Sequence, residues 1–275
     1  MTIDFSLISD NLIKNDDGIW YAKTQNKISY PEEGNAFCMQ LEDNSYWFKH
    51  RNSCIVELVK KYSPNTTFFD IGGGNGFVAK GLENAGISTV LVEPGQSGAS
   101  NAKARGLSNV VCATTETSGF EKNSIAAIGL FDVVEHIDDD EAFLAQNYDF
   151  LHKEGMIYIT VPAYNFLWSN EDDYAGHYRR HTIDSMSKTL KKIGFKIVYT
   201  SYLFSVLPLP IFLLRSLPSK LGFNKQVSNL DKYKNEHSEG NTSGVLQKIW
   251  NWELSKIKKN QSIKFGSSVL IIAKK

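Results

Sequence analysis

The chain has 275 residues with 30 basic and 30 acidic side chains, so its formal net charge at neutral pH is zero. Hydrophobic residues make up 42% and charged residues 22%, a composition that is ordinary for a globular protein and excludes a wholly disordered chain. The lack of a basic excess argues against nucleic acid as a partner. The length fits one large α/β domain, or one domain that carries a sizeable insertion.

Three cysteines, Cys38, Cys54 and Cys112, are far apart in the sequence and form no CxxC pair. They support neither a zinc site nor a disulfide framework, and a few scattered cysteines suit a reducing compartment. The N-terminal residues show no basic region followed by an apolar run. We therefore expect no secretion signal and a cytoplasmic location.

The order of elements predicts the fold. From Tyr46, after 45 residues without a clear period, apolar residues recur at helical spacing, and Pro64 follows where such a helix should end. Further helices are predicted at 77–85, 97–105, 139–151, 183–193 and 245–258. Seven short apolar runs predict strands at 67–71, 88–93, 109–112, 126–131, 155–161, 195–202 and 266–273. This alternation predicts an α/β fold with a doubly wound, mostly parallel, seven-stranded sheet.

The predicted strands divide the chain into three parts. Residues 53–202 and 263–275 carry the sheet, residues 1–52 form an N-terminal lid or helical segment, and residues 203–262 form a helical insertion before the last strand, as a cap or an interface. The apolar run at 202–214 is too short to span a bilayer and is broken by two prolines. We expect it to be buried on the sheet or a second subunit; the alternative is contact with a membrane or lipid carrier.

A glycine-rich turn joins the first predicted strand to the next helix. Gly72, Gly74 and Gly76 give the spacing GxGxG, whereas the dinucleotide fingerprint requires a glycine where this chain has Phe77. Glu93 ends the second strand, where an acid can accept hydrogen bonds from both hydroxyls of a ribose. Together these residues predict a nucleoside site without a diphosphate.

Three segments, FFDIGGGNGF, VLVEPG and GLFDVVEHI, resemble the class I S-adenosylmethionine-dependent methyltransferases. The resemblance implies a Rossmann-like methyltransferase fold, in which the loop holds the methionine moiety and the acid binds ribose. The acid that usually binds adenine is absent after the third strand, where Thr114 or Glu116 could replace it. The implied site for S-adenosylmethionine, and for its product S-adenosylhomocysteine, comprises Asp70, Gly72, Gly73, Gly74, Gly76, Phe77, Glu93, Pro94, Thr114, Leu130, Phe131 and Asp132.

Two further segments, SYWFKHRN and VPAYNFLWSNEDDYAGHYRRHT, and the apolar segment after the sixth strand resemble a bacterial subgroup of these enzymes, many of which are associated with cell-surface polysaccharide or lipid pathways. The resemblance implies a small-molecule, glycan-linked or lipid-linked acceptor. A weak contact with a membrane surface is suggested by the apolar run at 202–214 alone. Oxygen is the first expectation for the methylated atom and nitrogen the second. Neither the acceptor nor the oligomeric state follows from the sequence.

Two histidines are candidates for the catalytic base that an acceptor hydroxyl would need. His136 follows the fourth strand, at the rim where ligands bind in open α/β sheets; the alternative is a histidine that orients the loop or caps the next helix. His177 lies in a long aromatic and basic loop after the fifth strand. That loop is either a packed surface loop or an acceptor site formed by Tyr164, Trp168, Tyr178, Arg179 and Arg180.

No metal site is predicted, because the acidic run at 138–141 is typical of the first turn of a helix and no metal-binding motif is present. Two alternatives to a methyltransferase remain. A nicotinamide-dependent oxidoreductase is disfavoured by Phe77. A non-catalytic protein that binds S-adenosylmethionine is compatible with the missing adenine acid.

Overall fold

The computed structural model describes residues 3–24, 39, 42–222 and 244–275. Within these residues, nine strands form one sheet in the order β1-β2-β5-β4-β3-β6-β7-β9-β8. All seven predicted strands are present, and the predicted count is two short. The strands are β1 (Leu12–Lys14), β2 (Trp20–Ala22), β3 (Phe68–Ile71), β4 (Thr89–Val92), β5 (Asn109–Cys112), β6 (Ile125–Phe131), β7 (Leu151–Pro162), β8 (Lys196–Leu203) and β9 (Ser268–Lys274).

The helices follow the strands in the predicted alternation. They are α1 (Tyr46–Tyr62), α2 (Phe77–Asn84), α3 (Gln96–Ala104), α4 (Asp140–Phe150), α5 (Asn170–Ala175), α6 (Ile183–Ile193), α7 (Pro208–Ile211), α8 (Leu217–Lys220) and α9 (Gly244–Lys258), and a π-helical turn (Phe212–Ser216) joins α7 to α8. Asp139 caps α4, since its side chain accepts a hydrogen bond from the Ala142 amide at 2.9 Å. The acidic run there is therefore a helix start, as predicted. Among these helices, none combines the length and the apolar character that crossing a bilayer requires.

The two additional strands form a hairpin near the N-terminus. β1 and β2 pair antiparallel, and β2 pairs in parallel with β5 through Trp20 opposite Val111 and Tyr21 opposite Cys112. Part of the segment predicted as a lid or helix is therefore an extension of the sheet. Each strand has only three residues, too few for a period to be read from the sequence.

The central sheet is covered on both faces. Neighbouring residues of β3 alternate: Phe69 packs in one core with Leu144 of α4 and Leu190 of α6, whereas Phe68 packs in the other with Leu58 of α1 and Ile257 of α9. Strands β3 to β7 run parallel, while β9 inserts antiparallel between β7 and β8. The carboxyl ends of the parallel strands thus share one edge of the sheet.

The predicted insertion at 203–262 contains α7, α8 and α9 in its described part; its polar stretch at 231–243 lies outside the described residues. Helix α9 packs on α1, where the buried Glu253 carboxylate lies 2.9 Å from His50 Nε2 and accepts hydrogen bonds from the amides of Phe204 and Ser205. These bonds fix α9 on the sheet layer.

Burial of the apolar run at 202–214 is confirmed for residues 202–204 and for Pro208. Tyr202 is buried, but Leu209 is 65% exposed and Leu214 70% exposed within the described part of the chain. Because two prolines start α7 here, the run turns away from β8 and presents its apolar side chains outward. We call this surface the leucine ridge; it comprises Leu209, Leu213, Leu214, Leu217 and Leu221.

Candidate functional site

The glycine loop between β3 and α2 can only be built from glycine. Gly72, Gly74 and Gly76 adopt φ angles of 71°, 53° and 77°, in the left-handed region. A Cβ on Gly72 would lie 2.7 Å from Val133 Cγ2, and one on Gly73 would lie 2.3 Å from a Leu91 methyl. The loop therefore keeps its backbone bare at the carboxyl edge of the sheet, as a ligand-binding turn requires.

Glu93, at the end of β4, lies against this loop. Its buried carboxylate accepts a hydrogen bond from the Gly74 amide at 2.9 Å and another from the Gly95 amide at 2.8 Å. Pro94 follows at the same edge, and its carbonyl accepts the thiol of Cys112 at 3.7 Å. A carboxylate oxygen has two lone pairs and can accept more than one hydrogen bond. The predicted ribose acid and the predicted methionine loop are thus brought together.

Asp70 is buried under the loop without a hydrogen-bond partner for either carboxylate oxygen among the described residues. Burial raises the pKa of Asp70 to about 7, against the opposing charge of Arg51. A buried acid in this state favours a cationic partner. This environment suits the predicted contact with the amino group of the methionine moiety.

Arg51 belongs to the SYWFKHRN segment and was not among the predicted site residues. It is buried on α1, its guanidinium carbon lies 4.5 Å from the centre of the Trp47 ring, and it forms an ion pair with Asp132. Asp132 follows β6 with a φ of 58° and also accepts the Thr160 hydroxyl at 3.1 Å. The pair fastens α1 across the carboxyl edge. Trp47 and Arg51 are four residues apart on the helix, which was the available signal.

A second group of polar residues joins the segment before α1 to the glycine loop. Arg105 contacts Glu42 at 2.7 Å and donates to the main-chain oxygen of Asn75 at 3.1 Å. The side-chain amide of Asn75 in turn donates from Nδ2 to the Glu42 carboxylate at 3.2 Å. Phe77 lies beside this network, with Arg105 5.5 Å from its ring centre and Phe48 6.1 Å away edge to face.

The side chains of three other predicted cofactor residues do not face the carboxyl edge of the sheet: two are buried in the cores, and one is hydrogen-bonded within its own turn. Leu130 and Phe131 are buried in the cores on opposite faces, and Phe131 stacks on Phe68 with centroids 6.1 Å apart. Only their main-chain atoms are therefore left to meet a ligand. Thr114 forms a local turn with Thr117, whose amide donates to the Thr114 hydroxyl at 3.2 Å.

The two candidate bases are close together. The rings of His136 and His177 are 4.7 Å apart, edge to face. Burial, together with the charge of His177, lowers the pKa of His136 to about 4. His177 Nδ1 lies 2.9 Å from Asp172 Oδ1. Although burial opposes it, hydrogen bonding from His177 and Arg180 lowers the pKa of Asp172 to about 2.

Glu135, next to His136, is a further residue whose role was not predicted. Its side chain is only 1% exposed, and neither oxygen has a hydrogen-bond partner in the described part of the protein. Burial raises the pKa of Glu135 to about 8. One ligand atom from each of Glu135, His136 and His177 lies within 4.8 Å of the others. No metal ligands were predicted from the sequence, because this group combines two segments that are far apart in the chain.

The predicted acceptor residues divide into two groups. Trp168, Tyr178 and Arg179, with Asn165, line a shallow cavity of about 310 Å³. Tyr164 instead stacks on Tyr202, with ring centroids 5.1 Å apart.

Both arginines of this loop are engaged with acids. Arg180 donates to Asp172 from Nε at 2.7 Å and from a terminal nitrogen at 3.0 Å. Arg179 pairs with Asp140 at 2.8 Å and therefore holds the loop to the start of α4.

Comparisons with known proteins agree with this geometry. A family model described as a methyltransferase domain matches residues 47–200, more than half of the chain. No curated protein matches the chain. The structure is similar to a methyltransferase dependent on S-adenosylmethionine from Archaeoglobus fulgidus, with 19% identity, a TM-score of 0.51, and coverage of 84% of this chain and 100% of that one.

Two other solved structures show the same fold. Phosphoethanolamine N-methyltransferase 2 from Haemonchus contortus, in complex with S-adenosylmethionine, has 18% identity and a TM-score of 0.56, covering 90% of this chain and 58% of that one. Geranyl diphosphate methyltransferase, in complex with GPP and sinefungin, has 15% identity and a TM-score of 0.50, covering 80% of this chain and 76% of that one. The family match excludes the nicotinamide alternative, and the chain belongs to the class I methyltransferases, enzymes that use S-adenosylmethionine.

Proposed function

We propose that this enzyme transfers the methyl group of S-adenosylmethionine to a hydroxyl oxygen of a small-molecule, glycan-linked or lipid-linked acceptor, in the cytoplasm. The observation that carries the proposal is the cavity lined by Trp168, Tyr178 and Arg179. The Tyr178 amide donates to the Glu135 carbonyl at 2.8 Å, so the cavity adjoins the turn that bears His136. An aromatic and cationic cavity suits a sugar or another polar ring.

Methyl transfer from a sulfonium needs mainly alignment, because the methyl group is already activated. A hydroxyl acceptor must in addition lose its proton. Of the two candidate histidines, His177 has the better geometry: Asp172 engages Nδ1 and leaves Nε2 to receive a proton. The two histidines together support oxygen over nitrogen as the methylated atom, although the fold also occurs in an enzyme named for N-methylation.

The cofactor side of the proposal assigns each group a part. The glycine loop and Glu93 hold the methionine and ribose moieties, and Asp70 receives the amino group. Thr114 is proposed to lie beside the adenine in place of the usual acid. Arg51 closes the edge through its ion pair with Asp132.

The leucine ridge supports an acceptor carried by a lipid. The helical segment that bears the ridge packs on the loop at 164–181, which carries the predicted acceptor residues and which we call the acceptor loop. The Ser216 hydroxyl donates to the Leu167 carbonyl at 2.8 Å, and Lys220 Nζ donates to the Phe166 carbonyl at 3.0 Å. An apolar surface beside an acceptor cavity favours contact with a membrane or a lipid chain. Enzymes of this fold do act on prenyl substrates, since geranyl diphosphate methyltransferase is one of its structural relatives.

A transfer assay tests the proposal. The enzyme is given S-adenosylmethionine that is labelled on its transferable methyl group, together with a panel of hydroxyl and amine acceptors, free or lipid-linked. We expect label on oxygen, and we expect His177→Gln to lower kcat by about 10²-fold or more. The control is His152→Gln, since His152 is only partly buried and lies on β7, where its Nδ1 contacts the neighbouring Lys153 carbonyl. Label found only on nitrogen would contradict the proposal.

A second experiment tests whether the leucine ridge contributes to transfer to a lipid-linked acceptor. Leu213→Ser combined with Leu214→Ser should slow transfer to a lipid-linked acceptor and leave transfer to its water-soluble head group unchanged. Val198→Ser is the matched control, because Val198 is a similarly exposed apolar residue on β8. Equal slowing with both acceptors would show that the ridge does not serve the lipid.

A further inference from the structure

The cluster of Glu135, His136 and His177 has the composition of a metal site. A carboxylate and two imidazoles place one ligand atom each within 4.8 Å of one another. Two histidines and one carboxylate form a common donor set for divalent transition metals. The set joins the turn after β6 to the acceptor loop after α5, and the main-chain bond from the Tyr178 amide to the Glu135 carbonyl, 2.8 Å, holds the two segments in register.

The buried Glu135 carboxylate has neither a hydrogen-bond donor nor a cationic partner of its own among the described residues. It is 1% exposed, and both its oxygens lack a hydrogen-bond donor among the described residues. Two arginines lie in the vicinity, but each already pairs with another carboxylate: Arg51 with Asp132, and Arg180 with Asp172. Burying an unpaired acid is costly, and a cation ligated by this carboxylate would remove the cost.

His177 is oriented as a metal-binding histidine is. Its Nδ1 lies 2.9 Å from Asp172, whose carboxylate is held in turn by Arg180 Nε at 2.7 Å. In metal sites, such a carboxylate fixes the tautomer and directs the other ring nitrogen to the ion. This outer partner is already in place in the protein.

We propose that Glu135, His136 and His177 bind one divalent transition-metal ion of the manganese, iron or zinc type. Three protein ligands leave coordination positions open. The ion's role, which rests on the proposed function, is to bind the acceptor oxygen beside the methyl donor. With the ion bound, His177 Nε2 would be a ligand instead of the base, so the bound hydroxyl would release its proton to solvent. Its oxygen would attack the methyl carbon, and the C–S bond electrons would remain on sulfur as S-adenosylhomocysteine forms.

Metal alone is the probe for binding. Full-length protein, stripped with a chelator and dialysed, is titrated with Co²⁺ and followed by its visible absorption, and then with Zn²⁺ and Mn²⁺ by calorimetry. We expect one ion per chain and a Co²⁺ spectrum with d–d bands. We also expect Glu135→Gln and His177→Gln each to weaken binding by about tenfold or more, whereas the His152→Gln control, on β7 and outside the cluster, keeps wild-type affinity.

Calorimetry with S-adenosylhomocysteine on the stripped proteins reports whether each variant is folded. If Glu135→Gln does not bind the product, His136→Gln replaces it as the test variant. Absence of metal binding by the wild type, or unchanged affinity in folded variants, would overturn the metal site and leave methyl transfer standing. Metal binding without any binding of S-adenosylhomocysteine would instead remove the proposed function and keep the metal site.

Discussion

Glu93→Gln is the sharpest test of the cofactor site. Glu93 accepts two main-chain N–H groups, from Gly74 at 2.9 Å and Gly95 at 2.8 Å. Glutamine keeps the shape but supplies one carbonyl oxygen, so one of these N–H groups loses its acceptor. An unsatisfied buried donor costs about 1–3 kcal/mol, and we expect the free energy of unfolding to fall by that amount.

The same substitution removes the charge that the ribose hydroxyls would meet. Hydrogen bonds to a charged group contribute about 1.5–3 kcal/mol, which corresponds to a loss of roughly 10- to 150-fold in affinity for S-adenosylhomocysteine. Calorimetry measures the affinity, urea unfolding measures the stability, and Glu121→Gln serves as the exposed control. A variant that is less stable but binds the product as tightly as the wild type would refute the ribose role of Glu93.

Three further substitutions test the architecture of the site. Burial raises the pKa of Asp70 to about 7, so protonation favours the fold: the free energy of unfolding of the free enzyme should fall by up to about 3 kcal/mol from pH 5 to 8, and Asp70→Asn should reduce that loss in urea titrations. Arg51→Ala leaves Asp132 unpaired and should cost about 3 kcal/mol, and adding Asp132→Ala should cost less than the sum of the single changes in a double-mutant cycle. Gly72→Ala should destabilise by about 1–2 kcal/mol through its φ of 71° and weaken product binding through its collision with Val133, whereas Gly86→Ala, with a φ of 85° and open space around it, should affect stability alone.

The parts of the fold that were predictable are those in which one local rule dominates. Strands buried on both faces appear as uninterrupted apolar runs, so β3, β4 and β6 were found from composition alone. The hairpin was not, because Ile13 is half exposed and each strand has three residues. Its place is decided by pairing with β5, a contact between segments that are far apart in the chain.

The candidate site shows the same division. The glycine loop and Glu93 were predictable because backbone geometry and strand register fix them. The partners of Arg51 and Arg180 were not, since a charge pattern does not reveal which acid a folded loop brings near. The sequence suggested that Arg180 grips a ligand, and the structure shows it holding Asp172.

The N-terminal hairpin protects one edge of the sheet from pairing with strands of other molecules. By pairing with β5, β2 occupies the main-chain donors and acceptors of a strand that would otherwise border the sheet. The edge strand in the described part of the sheet is now β1, which has three residues with which another molecule could pair. A short edge strand is a poor template for pairing with a strand of another molecule. Removal of the first 24 residues would expose the edge of β5, and we expect it to increase self-association through that strand.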